Sequence, residues 1–220
     1  MAATKPEISI FLDYLNAQKK VPHNLLFGQS GYSFDILITG VGVANTSFEL
    51  GRRLTSNLYD IVVNVGVAGS FSSGFKLGEV VEVVTEQYGD FGAEEADGSF
   101  TDIFSLKLMS ENEPPFQKTK LINKKPSGIS NLKSARGLTV QKVHGNEKSI
   151  DTIKKKYAVD VETMEGAAFF QACLTMKIPF VQWRSISNYV TPRDKEAWRM
   201  KEAVQNLNTH LINVFEKRLI

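Results

Sequence analysis

The chain is poor in every feature that would direct it to a membrane or an oxidising compartment. Its 220 residues include one cysteine, Cys173, so no disulfide framework forms within the chain, which fits a reducing compartment. Cys173 stands in a run of small and apolar residues and reads as a buried, inert thiol. No apolar run approaches the length of a bilayer span, and the N-terminus lacks the charged, apolar and small-residue order of a signal peptide. These absences point to a cytoplasmic chain with no membrane partner. An excess of one charge sign is missing too. With 26 Lys and Arg against 24 Asp and Glu the net charge is +2, which gives no electrostatic argument for nucleic acid. Basic residues gather in 118–125 and 154–156, but acids and apolar residues break any longer stripe, and a solvated loop and a helix face are the readings. The histidines, His23, His144 and His210, are isolated from one another; no pair has metal-ligand spacing, and no metal is predicted. No serine or histidine stands in a nucleophile-elbow context.

What is present is the pattern of one α/β domain over residues 1–220, long enough to bury a sizeable core. Residues 6–18 read as a helix, with Thr4 as cap, Pro6 in the first turn and Ile8, Phe11, Leu12 and Leu15 on one face. Short apolar runs at 35–39, 61–65, 79–84, 139–143 and 180–187 read as strands. Helices are expected over 46–56 and 164–175. At the C-terminus, Ala197, Met200, Val204, Leu207, Leu211 and Val214 recur at spacings of three and four. Strands alternate with helices and are apolar on both faces. The expected fold class is therefore three-layer α/β/α, with a twisted, mixed, mostly parallel sheet. Residues 110–128, rich in Pro, Lys, Asn and Ser, are a loop or insertion candidate.

Two glycine stretches end strands. Gly40-Val41-Gly42 precedes a helix, but Asn45 stands where a dinucleotide fingerprint needs its third glycine, and the P-loop pattern is absent, so no cofactor is implied. Gly66-Val67-Ala68-Gly69 has the same two readings as the first: a tight turn, or a backbone that approaches a ligand closely. Both would lie at the carboxyl ends of strands, where open parallel sheets bind ligands. Thr4-x-x-Glu7 is a capping-box pattern, and on spacing alone Glu7 starts a helix; a carboxylate there could equally point into the cleft. Glu162 and Glu165 are read as opening a helix, where the dipole favours them, and the small residues behind Glu165 allow very close packing. Arg184 lies inside an apolar strand and needs a carboxylate or a ligand as partner. Ser187 and Asn188 follow at the strand's polar end, where Asn188 has a plain turn reading as well.

Together these stretches resemble the purine nucleoside phosphorylase and nucleosidase superfamily. Those that match are Ala2-Ala3-Thr4-Lys5-Pro6-Glu7-Ile8, Ile38-Thr39-Gly40-Val41-Gly42, Asn64-Val65-Gly66-Val67-Ala68-Gly69, Met164-Glu165-Gly166-Ala167-Ala168 and Arg184-Ser185-Ile186-Ser187-Asn188. Within it the chain looks most like the futalosine hydrolases of the alternative menaquinone route, through Gly89-Asp90-Phe91-Gly92-Ala93-Glu94, Ser187-Asn188-Tyr189-Val190, Arg193-Asp194 and Trp198. The resemblance implies that Glu7 activates water, that Glu165 accepts hydrogen bonds from the ribose hydroxyls, and that Met164 packs on the sugar. It places Arg184 near the ribose and the water, and Asn188 where adenine-releasing relatives carry an aspartate. Val67, Ala68, Gly69, Val143, His144 and Ser187 complete the implied substrate-binding set. Val67 stands where those relatives have a serine. The implied partners are a small purine nucleoside and further copies of the chain, in a homo-oligomer.

The chemistry fits these residue types. Breaking an N-glycosidic bond leaves an oxocarbenium-like sugar and an anionic purine. An amide at position 188 can donate to the leaving base and present both polarities to the oxo and ring-NH edge of hypoxanthine; a carboxylate would face the oxo group with like charge. A carboxylate at Glu7 suits water and repels phosphate. The expected function is release of hypoxanthine from futalosine. A methylthioadenosine or S-adenosylhomocysteine nucleosidase is the alternative enzyme, and a non-catalytic nucleoside-binding protein the alternative of another class. The family's first strand is expected before Ala2, while the chain begins at Met1; loss of that strand is expected to loosen Glu7.

Overall fold

The computed structural model describes residues 1–17, 26–29, 32–129 and 132–217. Residues 5–8 form a 3-10 turn that continues as α1 (Ser9–Ala17), with Phe11 and Leu15 buried. Gln18, expected at the end of this helix, and His23 lie outside the described residues. A hairpin of β1 (Leu26–Gln29) and β2 (Tyr32–Asp35) follows. The strand expected over 35–39 is corrected by this hairpin: β2 ends at Asp35, and residues 37–39 flank the N-terminus instead. The Ala2 amide donates to Leu37 O and the Thr39 amide to Ala2 O, at 3.0 and 3.1 Å. On the other side, Met1 N donates to Val63 O at 2.7 Å and the Val65 amide to Met1 O at 3.0 Å. Residues 1–3 thus bridge this segment to β3 (Val62–Ser70).

The remaining elements are α2 (Val43–Ser56), β4 (Val80–Tyr88), β5 (Gly92–Glu94), β6 (Phe100–Asp102), β7 (Leu121–Ile122), β8 (Lys133–Thr139), α3 (Glu147–Lys156), β9 (Val161–Thr163), α4 (Gly166–Met176), β10 (Phe180–Tyr189) and α5 (Met200–Lys217). The large sheet has the order β10-β3-β9-β8-β4-β7, and β10 also pairs with β4. Five strands therefore close on themselves. The sheet is mixed, as its sequence suggested. Pairs β3–β10, β4–β8 and β8–β9 are parallel; β3–β9, β4–β10 and β4–β7 are antiparallel. An open sheet between helical layers is replaced by this closure. Leu50, Leu54, Phe169, Phe170 and Cys173 from α2 and α4 pack with Ala68, Val81, Val83 and Ile186 in one core. Phe11, Leu15, Leu207, Leu211 and Val214 from α1 and α5 pack with Val65, Val181 and Trp183 in another.

Three further expectations are corrected. Residues 66–69 are not a turn but the second half of β3, because their neighbour β10 continues the ladder to Tyr189. The strand expected over 139–143 ends at Thr139; the true strand lies before it, in a segment whose lysine, serine, arginine and glycine hide its pattern. Glu162 does not open a helix. It lies in β9, and Glu165 alone caps α4. Residues 110–128 are irregular apart from β7, as their composition suggested.

Candidate active site

Glu7 does both things that its sequence allowed. Its Oε2 accepts from the Thr4 amide at 2.8 Å and the Thr4 hydroxyl at 2.9 Å, which closes the capping pattern. Its Oε1 turns the other way and accepts from the Val67 amide on β3 at 3.3 Å. The carbonyl of Glu7 is held from behind by Asn208 of α5, a fully buried amide that donates to it at 2.8 Å and accepts from the Phe11 amide at 2.8 Å. No sequence signal marked Asn208 apart from a polar residue beside Leu207 on an apolar helix face.

Glycine at position 66 leaves room for both Glu7 and Arg184. Arg184 and Gly66 are opposite one another across β10 and β3. A Cβ on Gly66 would stand 2.7 Å from Glu7 Oε1 and 3.3 Å from Arg184 Nη1. Arg184 is 1 % exposed, yet among the described residues its guanidinium donates only to the Trp183 carbonyl, at 3.2 Å, and its Nε has no partner. Its Nη2 lies 4.0 Å from Glu165 Oε2, too long for a hydrogen bond. A buried cation with so much donor capacity left over is built to meet something in the space between two carboxylates.

Glu165 borders the same space. Its Oε1 accepts from the Gly42 amide at 3.0 Å, so the first glycine loop touches the site through its backbone. Gly42 has φ +93°, a conformation that a side chain would resist, and it caps α2. Burial raises the Glu165 carboxyl above its ordinary range; Arg184 and the Gly42 amide oppose that shift, while the negative charge of Glu7 adds to it.

Behind Glu165 lies a carboxylate that the strand reading, ending at 84, did not reach. Glu86 is fully buried. It accepts from Gln182 Nε2 at 2.7 Å and from Thr139 Oγ1 at 2.9 Å, and Gln182 in turn accepts from Asn64 at 2.7 Å. Thr139 Oγ1 also accepts from the Ala167 amide at 2.7 Å, which ties the network to the first turn of α4. Burial pushes the Glu86 carboxyl up to about 7, against the pull of these donors and of Arg184. A charged residue inside a valine-rich strand was the available signal, the same one that marked Arg184.

Along the ladder, Ser187 Oγ lies 3.2 Å from Ala68 O and 2.8 Å from Asn188 Oδ1. Asn188 lies over Gly69, where a Cβ would stand 3.2 Å from its Nδ2. On the other side of Gly69 is Glu162, whose carboxylate takes the His144 amide at 3.1 Å and is hydrogen-bonded to His144 Nδ1. Met164 is half-buried between Glu162 and Glu165, and Val143 is 39 % exposed. The structure thus brings Glu7, Val67, Arg184 and Glu165 together at one point. It sets Ala68, Gly69, Ser187 and Asn188 further along the same two strands, with His144 beyond them; the Val143 side chain stays at the surface. Among the described residues, no group of three His, Cys, Asp or Glu side chains could hold a metal ion, and no helix is long and apolar enough to cross a membrane.

Comparison with known proteins matches the family model described as the phosphorylase superfamily over residues 1–218. A futalosine hydrolase of Thermus thermophilus is 32 % identical over 182 residues, covering 82 % of this chain and 80 % of that protein. A 5'-methylthioadenosine/S-adenosylhomocysteine nucleosidase of Colwellia psychrerythraea is 27 % identical over 215 residues, covering 86 % and 82 %. Among solved structures, that of a futalosine hydrolase mutant of Helicobacter pylori superposes with a TM-score of 0.75 at 14 % identity, covering 98 % of this chain and 96 % of that one.

Proposed function

The chain belongs to the phosphorylase superfamily, and on that premise we propose that it is a nucleoside hydrolase that cleaves the N-glycosidic bond of futalosine and releases hypoxanthine, in the alternative menaquinone route. One observation carries the reading: a buried, under-partnered Arg184 stands between the carboxylates of Glu7 and Glu165 over a glycine. The first-named relative, 32 % identical over most of both chains, is a futalosine hydrolase.

In this reading water sits near Gly66, between Glu7 Oε1, the Val67 amide and Arg184. Glu7 takes a proton from it as it attacks the anomeric carbon. The bond to the purine nitrogen breaks, and its electron pair leaves with the base. Glu165 accepts hydrogen bonds from the ribose hydroxyls, which strengthen as positive charge grows on the sugar. Its raised pKa makes it a strong acceptor, and the Gly42 amide fixes its direction. Met164 packs on the sugar. Asn188 donates to the leaving purine, while Ala68, Gly69, Val143, His144 and Ser187 line the base side. Glu7 at the nucleophile position repels phosphate, so the acceptor is water.

We treat residues 1–220 as one nucleosidase-like domain, with the α2–α4 and α1–α5 groups as outer layers about the closed sheet. It acts in the cytoplasm as a homo-oligomer; Phe48, 68 % exposed on α2, and Leu58 just beyond it are apolar surface for such an interface. The test is chromatography of bases released from futalosine, methylthioadenosine, S-adenosylhomocysteine and inosine, with and without phosphate. Phosphate-independent hypoxanthine release from futalosine supports the reading. Adenine release assigns the chain to the second enzyme class, and tight purine binding without turnover makes it a binding protein.

A further inference from the structure

We propose that His144 and Glu162 form a specificity device that reads the ring N1–H of an oxopurine: Glu162 holds the Nδ1 proton of His144, and Nε2 accepts from the base. This rests on the reading above, which puts the leaving base at the Asn188 end of the cleft.

The argument starts from the sheet. Gly69 of β3 is opposite Asn188 of β10 on one side and Glu162 of β9 on the other. Residues directly opposite in a sheet project to the same face. Two strand spacings separate the outer members of this row, about 10 Å. The middle member is a glycine, over which the Asn188 amide and a Val190 methyl lie, so the row has a polar side chain at each end.

Glu162 is 5 % exposed, and its carboxylate is held by one residue, His144. It takes the His144 backbone amide at 3.1 and 3.3 Å through its two oxygens, and it is hydrogen-bonded to the His144 ring at Nδ1. A carboxylate only accepts, so Nδ1 carries the proton. In the neutral ring that leaves a lone pair on Nε2, which has no hydrogen-bond partner among the described residues. The loop that carries His144 is anchored on both sides. Asp90 accepts from the Gln141 and Lys142 amides at 2.6 and 3.2 Å. The Gly145 carbonyl accepts from the Arg193 amide at 3.0 Å, which draws the loop to the segment that follows Asn188.

The consequence is a difference between bases. Hypoxanthine carries a proton on N1 and adenine a lone pair. An Nε2 lone pair attracts the first and repels the second, so the tautomer imposed by Glu162 works with Asn188 to select the oxopurine.

The test uses the full chain and free bases: hypoxanthine, 1-methylhypoxanthine and adenine, titrated by calorimetry. Wild type is expected to favour hypoxanthine over 1-methylhypoxanthine by about tenfold or more, the worth of one well-placed hydrogen bond. His144→Ala and Glu162→Gln should each bring that ratio close to one, while His144→Gln, whose amide oxygen accepts, restores part of it. A merely structural role would weaken all three bases alike. Equal affinity of wild type for hypoxanthine and its 1-methyl derivative overturns the proposal without any variant. So does an unchanged ratio in folded His144→Ala. If wild type binds no base at all, the nucleosidase reading itself fails.

Discussion

The carboxylate of Glu86 occupies the space that a side chain on Gly166 would need. A Cβ there would overlap Glu86 Oε1 and stand 2.8 Å from Gln182 Nε2. The first residue of α4 is therefore seated directly on a buried polar network, one residue from the Glu165 carboxylate. Gly166→Ala is expected to cost about 1–3 kcal/mol of stability, as for overpacking elsewhere, and to reduce turnover by more than that loss of folded protein explains, because Glu165 moves with the helix start. Denaturant unfolding and single-turnover rates at a temperature where the variant is fully folded separate the two effects.

Glu86 and His210 bend the pH profile of stability in opposite directions. The folded protein keeps Glu86 protonated between its ordinary 4.5 and about 7, where the unfolded chain has already ionised it. The folded state holds the additional proton, so this contribution is complete below pH 4.5 and is lost as pH rises through about 7; the shift corresponds to about 3 kcal/mol. Burial against Trp183 lowers His210 from 6.5 to about 4, so its contribution is present above pH 6.5 and is lost as pH falls through about 4. Glu86→Gln, which can keep the bonds to Gln182 and Thr139, should flatten the neutral side of the profile. His210→Phe should flatten the acid side. Unfolding free energies measured from pH 4 to 8 check both signs.

Much of this site was legible because its residue types conflict with their surroundings. An arginine in an apolar strand demanded a partner, and Arg184 stands between two carboxylates. Gly42 and Gly66 were marked as places where backbone approaches something closely. What Gly66 approaches is a pair of side chains, Glu7 and Arg184, and only the register of β3 with β10 reveals it. The three-residue strand β9 escaped notice because Val161-Glu162-Thr163 is too short for a period and leads straight into a helix. With it went the row Glu162–Gly69–Asn188. Closure of the sheet was equally hidden, since the contact of β10 with β4 joins segments about a hundred residues apart and leaves no local pattern.

Glu7 carries two roles on two oxygens, and glutamine can keep one of them. Glu7→Gln retains an acceptor for the Thr4 amide, as glutamine does in natural capping boxes, so stability should change by less than about 1 kcal/mol. The amide cannot take a proton from water. Turnover should fall by about a hundred- to ten-thousandfold, with affinity for the free base unchanged. Equal losses in turnover and in stability would mean that the capping bond is all that Glu7 supplies.

Asn188 sets the choice of leaving base if its amide, rather than its backbone, faces the purine. Ser187 Oγ–H donates to Oδ1 at 2.8 Å, and Nδ2, which lies over Gly69, gives one N–H to the Tyr189 carbonyl at 3.1 Å and keeps the other for the base. A carboxylate at this position would lose that fixed donor and set negative charge against the oxo group of hypoxanthine. In its protonated form it can donate to the imidazole-ring nitrogen of either base, and it no longer disfavours the adenine amino group. Asn188→Asp should therefore shift the ratio of kcat/KM for hypoxanthine-releasing over adenine-releasing substrates by about ten- to a hundredfold toward adenine, the effect of one to two hydrogen-bonding contacts. The comparison is made with futalosine and methylthioadenosine on both proteins at matched pH. A preference for adenine in wild type and variant alike would remove Asn188 from base selection and would count against the His144–Glu162 device as well.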